Sequence, residues 1–313
     1  MILSVSRRTD IPAFYTEWFF NRLNEGFVLV RNPMNYHQVS KIELSPSLID
    51  CIVFWTKDPT KIIRRLNELR SYNYYFQVTI TPYNKDIETN VQDKDQIINS
   101  FIELSQLIGR ERVVWRYDPI MLTNKLTVNY HKENYERIAS KLAGYTDLCI
   151  ISFIDLYRKT ERNMKHINPE SIPNYTMVQL GESLSKIASK YNLALKTCSE
   201  EIDLSSVAIN HAKCIDDKLI SKIVGQDLDI NKDKSQRDIC GCISSIDIGA
   251  YNTCKNGCLY CYANFSDKTV RNNVMNHDVN SPFLVGNIEL GDVIYERKMV
   301  SYKREYVQST FFD

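Results

Sequence analysis

From Met1 to Thr197 two periodicities alternate along the chain. Short runs of apolar, β-branched and aromatic residues read as buried strands: Ile2–Ser6, Asp50–Thr56, Tyr74–Thr81, Val113–Tyr117, Leu148–Phe153 and Leu193–Thr197. Between them apolar residues recur at helical spacing. Phe14, Trp18, Phe19 and Leu23 make one stripe, and Ile62, Ile63, Leu66 and Leu69 a second. Ile97, Phe101, Leu104 and Ile108 make a third, and Ile138 with Leu142 a short fourth. Leu180, Leu184, Ile187, Ala188 and Tyr191 make a fifth. Asp58-Pro59 offers a capping carboxylate followed by a proline suited to a first helical turn. Six strands separated by helices predict an α/β fold with a parallel sheet and right-handed crossovers. Strands apolar on both faces fit a sheet covered on both sides. Periodicity alone does not separate an open doubly wound sheet from a barrel.

The texture changes after Cys198. Residues 199–239 are polar and charged, with one helical piece around Asp217–Val224. Cys240-Gly241-Cys242 follows, then a cysteine-rich stretch from Tyr251 to Asn264, then a polar tail from Phe265 to Asp313. Within that tail Ser281–Gly286 reads as a packing stretch that pins it to the body. The chain thus divides into residues 1–198 and an extension, 199–313, expected to form one structural unit. No internal repeat or low-complexity segment interrupts it.

Composition narrows the class. A chain of 313 residues with 43% hydrophobic content can bury a sizeable core. Its 39 basic and 38 acidic residues nearly cancel, which gives no support for general nucleic-acid binding. No run of about 18 apolar residues is available to span a membrane. Nine cysteines without a secretory signal predict a reducing cytoplasm and metal ligation.

Three of those cysteines, Cys254, Cys258 and Cys261, stand at the spacing C-x3-C-x2-C around Gly257. A glycine there lets the backbone turn so that three thiolates converge. Iron–sulfur cubanes are held by thiolates, and three protein ligands leave one iron open. A structural zinc wants four closed ligands, and a disulfide framework suits small secreted chains. Cys51 and Cys149 fall inside strands and read as small core hydrophobes. The remaining four, Cys198, Cys214, Cys240 and Cys242, can ligate a second, fully coordinated iron–sulfur cluster or a structural zinc, with His211 a rival ligand.

The cysteine motif, with Tyr260 just before its third member, resembles the signature of the radical S-adenosylmethionine superfamily. That resemblance implies a six-stranded partial (β/α) barrel and a 4Fe–4S cluster whose open iron is chelated by S-adenosylmethionine. It also implies one-electron cleavage of that cofactor to methionine and a 5′-deoxyadenosyl radical, with an auxiliary cluster in many members. An electron donor such as a flavodoxin or ferredoxin is implied as partner; the substrate is not. The chain departs from the superfamily in the place of its cysteines, which follow the sixth strand rather than the first. In this it is similar to domain-of-unknown-function family 1848. The similarity is carried by Ser6-Arg7-Arg8-Thr9-Asp10-Ile11-Pro12, Phe54-Trp55-Thr56-Lys57-Asp58-Pro59, Arg116-Tyr117-Asp118-Pro119-Ile120, Asp247-Ile248-Gly249-Ala250-Tyr251 and the cysteine tail. The Thr-Lys and Arg-x-Asp-Pro elements more distantly resemble the spore photoproduct lyase branch.

In such a barrel the C-terminal strand ends build the site. They supply Arg7, Arg8 and Asp10, then Thr56, Lys57 and Asp58, Thr79 and Thr81, Arg116 and Asp118, Ser152 and Asp155, and Cys198 and Glu200. Thr56, Lys57 and Asp58 stand where the superfamily has a glycine-rich acidic motif that holds the methionyl amine. Asp58 reads equally as a helix cap. Arg116 suits the cofactor's carboxylate or an internal salt bridge to Asp118 or Asp10. Asp118 suits ribose hydroxyls or a turn before Pro119, and Ser152 stands beside them as a further cofactor contact. Arg7 and Arg8 suit an anionic substrate or Asp10. Tyr251, Tyr260 and Tyr262 suit shielding of the cluster, or one of them stacking on adenine. Two other classes remain: an iron–sulfur electron-transfer or redox-sensing protein that does not cleave the cofactor, and a nucleic-acid repair or modification enzyme.

Overall fold

The computed structural model describes residues 1–155 and 158–304. Its strands are β1 (Ile2–Val5), β2 (Phe27–Asn32), β3 (Asn35–Glu43), β4 (Cys51–Thr56), β5 (Tyr74–Thr79), β6 (Val113–Ile120), β7 (Leu148–Phe153), β8 (Ala194–Thr197), β9 (Asn210–His211), β10 (Ile246–Asp247) and β11 (Val293–Glu296). Its helices are α1 (Ile11–Phe14), α2 (Thr16–Glu25), α3 (Thr60–Ile63), α4 (Lys94–Ile108), α5 (Val128–Leu142), α6 (Arg158–Asn163), α7 (Asn174–Lys190), α8 (Asp217–Val224) and α9 (Asp267–Met275).

The helices begin and end where local chemistry dictates. The Asp93 carboxylate accepts the N–H groups of Asp95 and Gln96 and starts α4, and Thr127 does the same for α5 through Tyr130. Asp58 accepts the Thr60 N–H at 3.0 Å, so it serves as the turn that opens α3. The second apolar stripe is split: α3 ends at Ile63 and a separate 3-10 turn carries Leu66–Leu69.

An eight-stranded sheet runs in the order β10-β1-β4-β5-β6-β7-β8-β9, and every pairing in it is parallel. The six long strands are those read from the sequence, and they stand in chain order. The two additional strands correct the expected count of six. Both are two residues long and come from the cysteine-rich extension, too short to show a period of two. The edges β9 and β10 do not pair with one another, so the sheet is open. A second sheet, β11-β3-β2, was not anticipated. The exposed residues of β3 and β11 give no buried run to read.

Helices cover the sheet around an aromatic core. Phe54 stacks on Phe76 at 4.5 Å and Trp115 on Tyr135 at 4.8 Å. Burying a side chain such as Phe54 contributes roughly 1.5–3 kcal/mol. Cys149 is wholly buried within this core, and Cys51 equally so in a second cluster with Ile2, Val53 and Tyr75, as their strand positions imply. The tail is pinned as expected: Trp18 Nε1 donates to the carbonyls of Ser281 and Phe283 at 2.9 and 3.0 Å. Among the described residues no helix is long and apolar enough to cross a membrane.

Candidate functional site

The C-terminal ends of the long strands open into a cavity of about 810 Å3. Seven of the nine cysteines line it: Cys198, Cys214, Cys240, Cys242, Cys254, Cys258 and Cys261. The two that do not are the core residues Cys51 and Cys149.

The loop bearing Cys254, Cys258 and Cys261 is laid across the strand ends by specific bonds. Gly257 takes φ +65, and a Cβ there would stand 3.0 Å from Asn90 Nδ2. Asn90 N–H donates to the Asn256 carbonyl at 3.0 Å, and Leu259 N–H to Ile87 at 3.0 Å. Asn256 donates its amide to Asp10 Oδ2 at 3.0 Å and toward Cys254 Sγ at 3.5 Å. Asp10 also caps α1 and accepts the Lys57 N–H at 2.8 Å. One buried carboxylate therefore ties the end of β1, the end of β4 and the cysteine loop together. Burial pushes its pKa up, against the pull of these donors. Tyr15 and Tyr262 complete the attachment through Thr253 O at 2.6 Å and Arg7 O at 2.8 Å.

Beneath Cys258 lies Glu88, a residue the sequence reading did not single out. Its Oε1 accepts from Lys57 Nζ at 2.8 Å, from Thr81 at 2.7 Å and from Tyr260 OH, and its Oε2 from Lys94. Burial raises a carboxyl pKa, but the two ammonium groups outweigh it and hold Glu88 at about 2. No local motif announces Glu88; its partners lie as far away as Tyr260.

The second group enters from the other side. Cys198, Cys214, Cys242 and Cys240 form a chain of hydrogen-bonded thiols, with Cys198 Sγ 2.7 Å from Cys214 Sγ. Bonds from their neighbours hold Cys198 and Cys242 down, and the same bonds push Cys214 and Cys240 up. Arg116 Nη1 donates to Cys214 Sγ at 2.9 Å and to Gln77 Oε1 at 2.8 Å, while its other side grips Asp118. Asp118 in turn accepts from Ser152. His211 is not a member: it is exposed on β9 and meets Thr197 Oγ1 at 3.2 Å.

Of the expected cofactor contacts, Thr56, Lys57, Arg116, Asp118, Ser152 and Tyr260 line the cavity, together with Arg7, Arg8, Asp10, Thr79, Asp155 and Glu200. Asp58 does not, and its carboxylate is spent on Thr60. Thr81 sits behind the wall on Glu88. Arg116 makes the internal pair with Asp118, and neither Arg7 nor Arg8 pairs with Asp10. Arg7 leans on Asp247 at 3.9 Å, and Arg8 lies 5.2 Å from the Tyr251 ring centre. Burial pushes the Glu200 carboxyl up to about 8, although it accepts the Phe153 N–H at 2.8 Å.

Among the described residues no three His, Cys, Asp or Glu side chains are arranged to hold a single metal ion. The donor chemistry nevertheless suits thiolate ligation. Soft sulfurs are gathered in two groups, and Cys254, Cys214 and Cys242 each accept an N–H bond, the last from Ile215 at 3.4 Å. Burial, joined by the negative charge of Asp10, pushes the Cys254 thiol up to about 12, so a positively charged partner is what makes its thiolate favourable.

Comparison with known proteins adds little beyond kinship. No curated protein matches the sequence. A solved structure of a candidate alpha-L-fucosidase from Bacteroides thetaiotaomicron aligns with a TM-score of 0.28 and 13% identity over 53% of this chain and 50% of that one. A likeness that slight carries no argument. The family model described as Domain of unknown function (DUF1848) matches residues 2–263, and the chain belongs to that family.

Proposed function

We propose that this chain is a radical S-adenosylmethionine-type enzyme on a partial (β/α) barrel. In this reading Cys254, Cys258 and Cys261 hold a 4Fe–4S cluster, and Cys198, Cys214, Cys240 and Cys242 hold an auxiliary iron–sulfur cluster. One observation carries it: seven thiols from four separate segments meet on one cavity at the strand ends. When bound, the first cluster supplies one-electron reductive cleavage of S-adenosylmethionine, with the electron drawn from a flavodoxin- or ferredoxin-type donor. The protein's own residues set the stage. Asp10 and Asn256 fix the cysteine loop against the barrel. Tyr260 closes the floor beneath it, and Tyr262 bridges to the loop after β1. Arg116 braces Cys214, while Ser152 and Gln77 keep the guanidinium–carboxylate pair in register. Arg8 meets no carboxylate among the described residues, which leaves a cation on the cavity wall for an anionic group of cofactor or substrate.

The test is anaerobic protein reconstituted with iron and sulfide, given dithionite and S-adenosylmethionine. 5′-Deoxyadenosine should form above the level seen with a Cys254/Cys258/Cys261 triple alanine variant. Iron should fall from about eight to about four per chain in that variant. A second reading, an iron–sulfur electron carrier, is favoured by one feature. Lys57 and Arg116, the cations expected to hold the cofactor, are already committed to Glu88 and Asp118. A cluster spectrum unchanged by S-adenosylmethionine, with no nucleoside formed, would select the carrier.

A further inference from the structure

The charge beneath the cysteine loop does not balance. Lys57 and Lys94 both reach Glu88, and their side chains are 12% and 18% exposed, against 1% for the carboxylate. Two ammonium groups share one carboxylate, so one positive charge is left over in a nearly dry place. Lys57 also feels Asp118, but Arg116 already holds that carboxylate. Both lysines do feel Cys258, whose backbone bridges that of Glu88. An unmatched buried charge is costly unless an opposite charge meets it. A neutral thiol cannot meet it, whereas a metal–thiolate group at Cys258 can. A post that merely supported the loop would need the hydrogen bonds of Glu88 but not the surplus charge.

We propose that Lys57, Glu88 and Lys94 form a buried charge platform that receives the anionic metal–thiolate group at Cys258 and sets its reduction potential. The proposal rests on the iron–sulfur reading of Cys254, Cys258 and Cys261 and gives Lys57 a different task from cofactor binding. Reduction adds negative charge to a cluster, so a nearby cation favours the reduced form and a nearby anion opposes it. Lys57 and Glu88 therefore act with opposite signs, although both belong to the same hydrogen-bonded unit.

The experiment uses full-length protein reconstituted anaerobically with iron and sulfide: wild type, Lys57→Gln, Lys94→Gln and Glu88→Gln. The midpoint is followed by electron paramagnetic resonance, on the signal that the triple cysteine variant lacks. Lys57→Gln and Lys94→Gln should each lower the reduced-to-oxidised ratio at fixed potential by about tenfold or more, and Glu88→Gln should raise it similarly. Tenfold corresponds to about 59 mV for one electron. Shifts of one sign in all three variants, shifts well below tenfold, or loss of iron from all three with an intact fold would overturn the platform. Should Glu88→Gln alone fail to fold, the sign and size of the two lysine shifts decide. Wild-type protein that takes up neither iron nor sulfide would overturn the cluster reading itself, and the platform with it.

Discussion

Gly249 offers the sharpest test of how the extension is fastened to the parallel sheet. The Asp247 carboxylate, on edge strand β10, accepts from Ser4 Oγ at 2.8 Å, Ser6 Oγ at 2.6 Å, Arg7 N–H at 2.8 Å and Gly249 N–H at 3.0 Å. A Cβ at Gly249 would lie 2.0 Å from Ser6 Oγ and 2.7 Å from Ser6 Cβ. Gly249→Ala must therefore push Ser6 off the carboxylate. Overpacking costs about 1–3 kcal/mol, and a lost hydrogen bond to a charged group about 1.5–3 kcal/mol. The two overlap because one displacement relieves the clash by breaking the bond, so about 3 kcal/mol is expected. Gly26→Ala is the control: its Cβ meets nothing within 4 Å, and only φ +79 opposes it, for about 1 kcal/mol. Equilibrium urea unfolding at matched iron content, followed by tryptophan fluorescence, reads both. The double variant Ser6→Gly/Gly249→Ala lacks both clashing atoms and should be at least about 1 kcal/mol less unstable than the two single costs summed. A Gly249→Ala cost no larger than that of Gly26→Ala, or strict additivity in the double variant, would refute the steric argument.

Three further outcomes follow from the same structure. Arg116→Met leaves the half-buried Asp118 with Ser152 as its remaining side-chain donor and should cost about 3 kcal/mol, the lower end for a broken buried pair, while adding Asp118→Leu should recover much of it; denaturant midpoints decide. His131 is wholly buried, with Tyr117 OH at 2.9 Å and the Met121 carbonyl at 2.8 Å, and burial lowers its pKa from 6.5 to about 4. Above pH 6.5 neither state binds the proton; between 6.5 and 4 only the unfolded chain does, so stability falls by about 3 kcal/mol as the pH drops through that window. His131→Gln should flatten that part of the stability profile, and an unchanged slope would count against a neutral buried imidazole. If the loop of Cys254, Cys258 and Cys261 holds the proposed cluster, Asn256→Ala, which removes the donor to Asp10 and Cys254, should lower iron retained after chelator challenge by roughly tenfold, the usual scale for an outer-shell partner.

Five of the six long strands were legible because they are buried along almost their whole length, so apolar runs such as Cys51–Thr56 stand out against polar surroundings, whereas β8 alternates and shows only Leu195 and Thr197 inward. Strands β9 and β10 were not, because two residues pair only where a neighbouring strand end already holds them. The sheet of β2, β3 and β11 was missed for another reason. Its outer strand β11 is exposed at every position and joins β3 from more than 250 residues away in sequence, so no local pattern records the pairing.

Within the site, residue types were readable and partnerships were not. Cysteine spacing pointed to the two thiol groups, and strand ends pointed to Thr56, Lys57, Arg116 and Asp118, all of which reach the cavity. What each charge does depends on which opposite charge the fold brings to it. Glu88 looks like any loop carboxylate, yet it neutralises Lys57, anchors Tyr260 and lies beneath Cys258. Asp247 looks like a turn residue, yet it gathers four donors from β1, the loop after it and Gly249. These two carboxylates explain how a cysteine motif that follows all six long strands in sequence can still sit over the strand ends. Asp247 stitches β10 beside β1, which brings Tyr251 and the following loop to the mouth. Glu88, on the loop after β5, then catches that loop at Cys258 and Tyr260. Asp247 and Glu88 thus fix from two sides where the motif lands.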